Sequence, residues 1–309
     1  MKKVNVLMAT YNGEKHIVRQ LDSIMNQTYD NIDIYIRDDG SKDNTLEIIN
    51  KYIDEHKDSP KRIILVDGQG INLKCPESFY ELIRVCEKAD YYALCDQDDY
   101  WYEDKISRAV QMLEDGLKED TMTLYYSACD YKDEKGRLIR KSNIQTKTPT
   151  LQNVMYYTLG SGFTIVFNEK LRQELVINTK PGPELHDRWL IRGAVCFGKV
   201  IYDEKSTAAH IRHEEAVTSG DAGNISLIKN FIKNELLSDD AKKEKTALRY
   251  FYVTFRDRLS DRENNILRLF ATKDKSLKVR MRKVFFRGRL RGRLAGEIAL
   301  RFMFLIGKI

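Results

Sequence analysis

Residues 91–101 read Tyr-Tyr-Ala-Leu-Cys-Asp-Gln-Asp-Asp-Tyr-Trp, and this stretch decides how the chain folds. An apolar run typical of a buried strand stops abruptly in three acids, Asp96, Asp98 and Asp99. Carboxylates buried together are costly unless a cation or hydrogen-bond donors compensate them. Oxygen ligands of this kind suit Mg²⁺ or Mn²⁺, which commonly bridge a protein to phosphate groups. The alternative is a solvated acidic turn after a core strand.

The chain on the N-terminal side of this stretch alternates short apolar runs with amphipathic segments. Strand-like runs end in turn-forming residues, and apolar residues at helical spacing follow each of them. This alternation predicts an α/β fold with a mostly parallel sheet covered by helices on both faces. The predicted strands are Asn5–Ala9, Ile32–Ile36, Arg62–Val66 and Tyr91–Cys95, and the predicted helices are Glu14–Gln27, a segment through Leu46–Ile53, and Glu77–Lys88.

Polar clusters follow three of these strands, at Thr10–Asn12, Asp38–Asp39 and Asp96–Asp99. In open α/β sheets the ligand lies beyond the carboxyl ends of the strands, so the three clusters should converge on one site. An aromatic ring such as Tyr11 can stack on a base, and a carboxylate such as that of Asp39 can accept a hydrogen bond from a pyrimidine N–H. The sequence therefore predicts a nucleotide site. A helix-starting role for the two acids after the second strand is the competing explanation.

Three motifs together resemble glycosyltransferase family 2: Met8–Gly13, Ile36–Thr45 and Cys95–Asp99. The resemblance implies a GT-A fold, a nucleotide-sugar donor and inversion at the anomeric carbon. The run Asp-Gln-Asp-Asp-Tyr-Trp, with His186–Trp189 further on, is most similar to bacterial rhamnosyltransferases that assemble rhamnose-rich wall polysaccharides. The resemblance covers roughly residues 3 to 215.

The resemblance also assigns candidate donor and metal residues. The first acid of the family's Asp-X-Asp motif meets the ribose or the sugar, and the later acids hold the metal, Mn²⁺ or Mg²⁺. If the alignment with the family motif is shifted by one residue, Asp98 and Asp99 exchange roles, so both are candidate metal ligands. His213 is the third, although its segment His210-Ile211-Arg212-His213 departs from the family's Tyr-Arg-X-His by displacing the arginine. The expected nucleotide-sugar residues are Thr10, Tyr11, Asn12, Asp38, Asp39, Asp96 and Gln97.

The second half of the chain should supply the acceptor side. Met122–Cys129 predicts a strand, and the turn at 133–136 predicts a hairpin. The two glycines in Gly160–Thr164 permit a close backbone approach to a sugar or diphosphate, or form a simple turn. A rigid loop, Pro181–Pro183, then leads into a helix. The candidate acceptor-binding residues are Trp101, Gly162, His186, Arg188 and Trp189, with a purely buried role as the alternative for Trp189.

Asp187 is the candidate general base. Attack of an acceptor hydroxyl on an anomeric carbon needs a carboxylate that removes the proton as the new bond forms, in a single in-line displacement. The family places an acid where a helix begins, and Asp187 occupies that position. The alternative is an acid favoured there only by the helix dipole.

The C-terminal part of the chain carries a separate signal. From Lys273 onward there are twelve Lys or Arg residues against Asp274 and Glu297, in a chain of net charge +6. Apolar residues alternate with these cations, and the apolar end 298–306 is too short to span a bilayer. This pattern predicts a basic amphipathic region lying on an anionic membrane surface. Nucleic acid is excluded as a partner because no recognition motif accompanies the cations, and an oligomer-forming tail is the alternative.

Length and composition agree with a catalytic domain and an appendage. The 309 residues are 42% hydrophobic. We expect a GT-A catalytic domain at 1–218, with a nucleotide-binding half at 1–99 and an acceptor half at 100–218, followed by a helical, basic, membrane-associating or oligomerising region at 219–309. Five scattered cysteines and an N-terminus that starts its first strand at once predict reduced thiols, no signal peptide and a cytoplasmic protein peripheral on the inner face of the cell membrane.

These patterns lead to one function and three alternatives. The sequence predicts an inverting, metal-dependent glycosyltransferase that moves L-rhamnose from dTDP-β-L-rhamnose to a lipid-linked cell-wall or capsular polysaccharide intermediate. A UDP-hexose donor is the alternative within the fold. A sugar nucleotidyltransferase is disfavoured because Thr10-Tyr11-Asn12-Gly13 stands where a basic glycine-rich loop would bind a triphosphate. A non-catalytic assembly scaffold is disfavoured because it would not need both the acidic cluster and Asp187.

Overall fold

The computed structural model describes residues 1–115, 120–142, 146–212, 240–292 and 294–309. Its first part alternates strands and helices, as the sequence predicts. Helix α1 begins later than expected because the residues after β1 form a turn tied to the loop before α2, with the Glu14 N–H donating to Asp43 Oδ2 over 3.1 Å. The elements are β1 Val4–Thr10, α1 Ile17–Met25, β2 Ile32–Asp38, α2 Thr45–Glu55, β3 Arg62–Val66, α3 Glu77–Val85 and β4 Tyr91–Asp96.

The next part contains a long strand, a hairpin and the predicted helix at Asp187. The predicted strand extends further than expected as β6, and Gly136, at φ 77°, makes the tight turn into β7. The elements are β5 Tyr100–Trp101, α4 Lys105–Glu114, β6 Thr123–Asp133, β7 Leu138–Lys141, α5 Leu151–Val154, a 3₁₀ turn Gly162–Thr164, β8 Ile165–Asn168, α6 Glu169–Arg172 with a π-helical turn Gln173–Ile177, α7 His186–Phe197 and β9 Lys199–Arg212.

The strands form one sheet in the order β3-β2-β1-β4-β8-β6-β9-β5, with β7 beside β6. The first four are parallel. Beyond them the sheet is mixed, since β8 runs antiparallel to both β4 and β6, and β9 runs parallel to β6. Strand order reverses at β1, which lies between β2 and β4, and this switch point is where open α/β sheets bind their ligands.

Two hydrophobic cores cover the two faces of the sheet. Successive strand residues point to opposite faces, so Val6 and Met8 pack with α1, α2 and α4, whereas Leu7 packs with α3 and α7. The central strands are therefore apolar on both sides, as expected of a parallel sheet enclosed by helices. This arrangement leaves the carboxyl ends of β1, β2 and β4 as the polar rim of the sheet.

In the described residues after 239, four helices pack on the face that carries α7. They are α8 Asp240–Phe255, α9 Asp261–Ala271, α10 Leu277–Val284 and α11 Leu294–Leu305. Phe251 and Phe255 of α8 contact the indole of Trp189, with ring centroids 5.4 and 5.6 Å apart. The helical region thus stacks on the α/β part of the same chain. In the part of the chain that the structure describes, none of the helices has the length and apolar character needed to cross a bilayer.

Candidate active site

The three polar clusters meet at the rim formed by β1, β2 and β4. In the parallel register Thr10 lies opposite Asp38, and Ala9 lies opposite Asp96. Because the strands run in the same direction, their following loops leave the sheet on the same side. The convergence predicted from the sequence is therefore present.

A side-chain amide joins the ends of β1 and β4 across the switch point. Gln97 Nε2 donates to the Tyr11 carbonyl over 3.0 Å, and Gln97 Oε1 accepts from the Tyr11 N–H over 2.9 Å. A Cβ at Gly13 would overlap this amide, so glycine permits the close approach. Gln97, predicted to bind the donor, thus holds the backbone of Tyr11 in place and leaves the Tyr11 ring half-exposed at the rim.

Asp38 organises the turn after β2. Its carboxylate accepts hydrogen bonds from Thr10 Oγ1 over 3.1 Å, the Gly40 N–H over 3.0 Å and the Ser41 N–H over 2.8 Å. Asn12, in the left-handed region at φ 50°, accepts from the Lys42 N–H over 2.8 Å. These contacts tie the β1 and β2 loops together, so Asp38, predicted to bind the donor, supports the turn beside the predicted nucleotide site.

Asp39 is buried behind this turn and is already paired. It forms an ion pair with Arg37, and its two carboxylate oxygens accept from the Leu73 N–H over 2.9 Å and the Lys74 N–H over 2.6 Å. The segment 67–76 therefore lies over the carboxylate that the sequence assigns to the nucleobase. Any base that bonds to Asp39 must share this carboxylate with that segment.

Asp96, Asp98 and Asp99, at the end of β4 and just beyond it, form the acidic floor of the site, where their negative charges repel one another. Burial, with the neighbouring charges of Asp99, Asp98 and Asp187, raises the pKa of Asp96 to about 8. Burial also raises the pKa of Asp99 to about 6, although a hydrogen bond to His210 opposes the shift. Asp98 is half-exposed, whereas Asp99 is fully buried. Neutralising this charge is the chemistry that a divalent cation supplies.

His210 is the site residue that sequence reasoning undervalued. Its Nδ1 lies 2.8 Å from Asp99 Oδ1, and this contact raises the pKa of the imidazole. The two residues are 111 positions apart in the chain. The antiparallel pairing of β5 with β9, in which Tyr100 lies opposite Ala209, brings His210 to Asp99, and no local sequence pattern predicts this pairing. His213, the predicted ligand, lies outside the described residues.

Asp187 lies in the first turn of α7, which begins one residue earlier, at His186. Its charge contributes to the raised pKa of Asp96, so the two carboxyl groups are near enough to interact. Burial raises the pKa of Asp187 to about 6. A Cβ at Gly162 would lie 3.9 Å from the Cβ of Asp187 and 3.2 Å from His186 Nε2, so this glycine permits the turn before β8 to pass close to the candidate base.

Two predicted acceptor contacts, Trp101 and Trp189, need correction. Trp101 and Trp189 have no exposed surface, and the Trp189 indole N–H donates to the Leu175 carbonyl over 2.8 Å. Both indoles therefore pack the two cores instead of lining the cleft, which is the alternative noted for Trp189. Arg188 donates to Thr158 Oγ1 over 2.7 Å and to Glu244 Oε1 over 3.0 Å, so it ties α7 to α8.

The site suits a metal ion whose coordination is completed by the phosphate groups of a bound nucleotide. Across the described residues, no group of three or more His, Cys, Asp or Glu side chains has an arrangement that could hold a metal ion. One oxygen of Asp99, Oδ2, is buried without a hydrogen-bond partner among those residues. Mg²⁺ and Mn²⁺ are commonly held by one or two carboxylates with substrate phosphates completing the coordination. The acidic floor fits that arrangement.

Comparison with known proteins agrees with the fold. The model of the family "Glycosyl transferase family 2" matches residues 5–175. The dTDP-rhamnosyl transferase RfbG of Shigella flexneri is 33% identical over 218 residues, which cover 67% of this chain and 72% of RfbG. WfaP of Escherichia coli, a UDP-Glc:alpha-D-GlcNAc-diphosphoundecaprenol beta-1,3-glucosyltransferase, is 34% identical over 139 residues, 45% of this chain and 50% of WfaP.

Solved structures show the same architecture. S. aureus TarS 1–349 in complex with UDP-GlcNAc superposes with a TM-score of 0.57 at 17% identity, covering 96% of this chain and 78% of that one. The mannosyltransferase PcManGT of Pyrobaculum calidifontis, in complex with GDP-Man and Mn²⁺, gives 0.53 at 15% identity, covering 100% and 88%. The fold and the site define a nucleotide-sugar-dependent glycosyltransferase of the GT-A type. The chain belongs to glycosyl transferase family 2.

Proposed function

We propose that this chain is an inverting, metal-dependent rhamnosyltransferase that moves L-rhamnose from dTDP-β-L-rhamnose to a lipid-linked cell-wall or capsular polysaccharide intermediate. The observation that supports the chemistry is that Asp187, in the first turn of α7, is near enough to the acids after β4 for its charge to raise the pKa of Asp96. The choice of donor is supported by the likeness to RfbG, a dTDP-rhamnosyl transferase, over two thirds of the chain.

In this proposal the donor nucleotide lies across the switch point. The half-exposed ring of Tyr11 stacks on the base, and Asp39 accepts from the base N–H beside the Leu73 and Lys74 N–H groups. Gln97 fixes the backbone of Tyr11 and so sets the position of the stacking ring. Asp96, at the end of β4, contacts the ribose or the sugar.

The divalent cation, Mn²⁺ or Mg²⁺, would be held by Asp98 and His210. Asp98 is the more accessible of the two candidate acids. Asp99 bonds to Nδ1 of His210, and such a contact orients an imidazole so that its other nitrogen can bind a metal. When bound, the cation neutralises charge that appears on the departing diphosphate. His213 stays a candidate ligand from the sequence.

Asp187 acts as the general base. Its carboxylate takes the proton of the acceptor hydroxyl while that oxygen attacks the anomeric carbon from the face opposite the diphosphate. The bond to the diphosphate breaks in the same step, so the configuration at the anomeric carbon inverts. Gly162 and His186 lie beside Asp187. Gly162 is positioned to line the acceptor side of the site, whereas His186, a predicted acceptor contact, is buried and stacks on the ring of Phe79.

The test is a donor screen with a lipid-linked acceptor, with and without a chelator. We expect transfer from dTDP-rhamnose and loss of transfer when the chelator removes the metal. WfaP, a glucosyltransferase that uses UDP-Glc, gives the second candidate donor. Turnover of UDP-glucose or UDP-galactose in place of dTDP-rhamnose would reject rhamnose and keep the glycosyltransferase.

The metal assignment is tested by Asp98→Asn. We expect this variant to weaken nucleotide binding about tenfold or more in the presence of Mn²⁺ and to leave metal-free binding unchanged. Titration calorimetry with the nucleoside diphosphate, with and without Mn²⁺, measures both. Equal affinity for the variant and the wild type in Mn²⁺ would remove Asp98 from the metal site.

The acceptor places the enzyme at a membrane. A lipid-linked saccharide is confined to the bilayer surface, so we propose that the protein works as a peripheral protein on the inner face of the cell membrane. The basic C-terminal region supplies the positive charge that anionic lipids attract.

A further inference from the structure

Helix α11 presents an entirely apolar outer face. Every exposed residue between Leu294 and Leu305 is apolar, and 62% of Ile298 and 47% of Phe302 is exposed. Four of these side chains recur at intervals of four, four and three residues and so form one stripe along the helix. The exposed residues of α11 are Leu294, Ala295, Ile298, Phe302 and Leu305.

The helix is firmly attached to the protein by its other face. Arg301 donates to the Phe286 carbonyl over 2.8 Å and the Gly288 carbonyl over 2.7 Å. Glu297 accepts from the N–H groups of Leu290 and Arg291 over 2.8 and 2.7 Å. The charged groups of α11 are thus used inside the protein, and the apolar stripe lies on a fixed element.

The neighbouring helix α10 adds apolar anchors and cations. Leu277 and Phe285 are 61% and 73% exposed. Arg280 donates to the Leu305 carbonyl over 3.0 Å, so α10 lies against the C-terminal end of α11. The exposed cations in and around α10 are Lys273, Lys275, Lys278, Arg282, Arg287 and Arg289.

We propose that the protein binds an anionic lipid bilayer through the outer apolar stripe of α11, together with the exposed apolar side chains and cations of α10. Contiguous apolar surface is rarely left exposed on a soluble protein. Where it is exposed, it marks a site that binds a membrane or another protein. An apolar stripe beside exposed Lys and Arg is the combination that enters the interface of an anionic bilayer. The charge complementarity selects lipid over a second copy of this chain, whose equally basic surface would repel it.

This inference deepens the proposed function by assigning the membrane contact, and it rests on the proposed lipid-linked acceptor for its purpose. It is tested without activity, by flotation of the full chain with vesicles. We expect the protein to float with vesicles that contain phosphatidylglycerol and to remain behind with pure phosphatidylcholine.

The variant Ile298→Ser/Phe302→Ser removes two anchors of the stripe without touching a buried group. We expect it to lower binding to the anionic vesicles by about tenfold or more. The matched control, Val18→Ser/Val85→Ser, removes two aliphatic side chains of 42% and 46% exposure from α1 and α3, and it should float like the wild type. Lys278→Gln/Arg282→Gln should weaken binding to anionic vesicles through lost charge alone.

Equal flotation of the stripe variant and the control would overturn the proposal. A wild-type dimer in sedimentation that the stripe variant converts to monomer, without vesicle binding by either, would also overturn it and identify a second copy as the occupant. Donor binding by the same preparations separates the two hypotheses. A protein that floats but binds no dTDP-rhamnose contradicts the proposed function only, and one that binds the donor but does not float contradicts the docking surface only.

Discussion

At Asp187 two local effects act on one carboxyl group in opposite directions. Burial raises its pKa to about 6, and the Arg188 N–H, which donates to Oδ1 over 2.7 Å, favours the charged form. A base with this pKa is ionised at neutral pH yet more basic than an ordinary aspartate. Such a balance suits a group that must accept a proton during the reaction.

Replacing this group tests its role directly. We expect Asp187→Asn to lower kcat by roughly 10² to 10⁴-fold while nucleotide affinity stays unchanged, because the amide cannot accept the proton. Product formation and titration calorimetry measure the two effects. Because the charged form of a carboxyl with a raised pKa costs stability above that pKa, the variant should melt no earlier than the wild type near pH 7.5. Unimpaired turnover would exclude Asp187 as the base.

The pH dependence follows from the same carboxyl. Asp187 must be deprotonated to act, and its folded pKa of about 6 lies above the ordinary value of 3.8. The rate should therefore be full above that pH and fall as the pH drops through about 6. The kcat profile measured with saturating donor and metal reports it. A profile that stays flat down to about pH 4.5 would contradict the assignment.

Gly13 and Gln97 provide a paired test of the rim. A Cβ at Gly13 would overlap the Gln97 amide, which holds the Tyr11 backbone. We expect Gly13→Ala to raise the KM for the donor about tenfold by displacing Tyr11, and Gln97→Ala to raise it less. Steady-state kinetics of the double variant Gly13→Ala/Gln97→Ala test this explanation. Without the Gln97 amide the added Cβ has nothing to overlap, so the KM of the double variant should be lower than that of Gly13→Ala. Simple addition of the two effects would show that the overlap is not the cause.

The sequence points to the acids of the candidate site but not to their neighbour His210. Asp96, Asp98 and Asp187 are candidates from local signals because each follows a recognisable strand or lies at the start of a helix. His210 has no such signal, because its contact with Asp99 depends on the pairing of β5 with the distant strand β9. The tryptophans next to site motifs were misread since local sequence does not show which face of an element is covered.

At the scale of elements, Glu244 of α8 links α7 to the C-terminal segment before α11. Its Oε1 accepts from Arg188 on α7 over 3.0 Å, and its Oε2 lies 3.3 Å from the guanidinium of Arg291. The carboxylate is mostly buried between the two arginines. Removal of its charge would leave both cations poorly compensated, which is costly in a buried position.

We therefore expect Glu244→Gln to lower the melting temperature by about 4 °C, corresponding to roughly 1 to 2 kcal/mol. The control is Glu55→Gln, which removes an exposed ion pair with Lys51 at 3.8 Å and should change the melting temperature by less than about 1 °C. Calorimetric melting of the three proteins measures this. A Glu244→Gln protein as stable as the control would show that the bridge contributes nothing.

The order of the strands marks the limit of sequence reasoning about elements. The first four strands were predicted within a residue or two at most ends because the apolar period and the turn residues are local signals. The mixed part of the sheet was not predicted, since β8 enters between β4 and β6 through pairings of residues far apart in the chain. Such pairings are set by tertiary packing.

At the scale of the whole molecule, the C-terminal helices share one hydrophobic core with the α/β part of the chain, which runs from β1 to β9. Phe251 and Phe255 of α8 and Phe304 of α11 belong to the same buried cluster as Leu7 and Trp189. A chain ending at residue 239 would expose that apolar surface to water. We expect it to aggregate or to bind a hydrophobic dye, whereas the full chain does neither. A soluble, cooperatively melting fragment 1–239 would show that the catalytic half folds alone.

The Gln97 strap, that is, the Gln97 amide hydrogen-bonded to the Tyr11 backbone between β1 and β4, has a consequence for donor choice. Because it holds the rim at the ends of β1 and β4, we expect a change of donor to be accommodated elsewhere in the site. The segment 67–76 contacts Asp39 through the backbone N–H groups of Leu73 and Lys74, so the side chains of these two residues can change without removing the contacts. Gly68 should be kept, because a Cβ there would lie 2.8 Å from the Asp38 carbonyl oxygen. Redesign of the enzyme for another activated sugar should therefore begin by exchanging this segment and leave the strap intact.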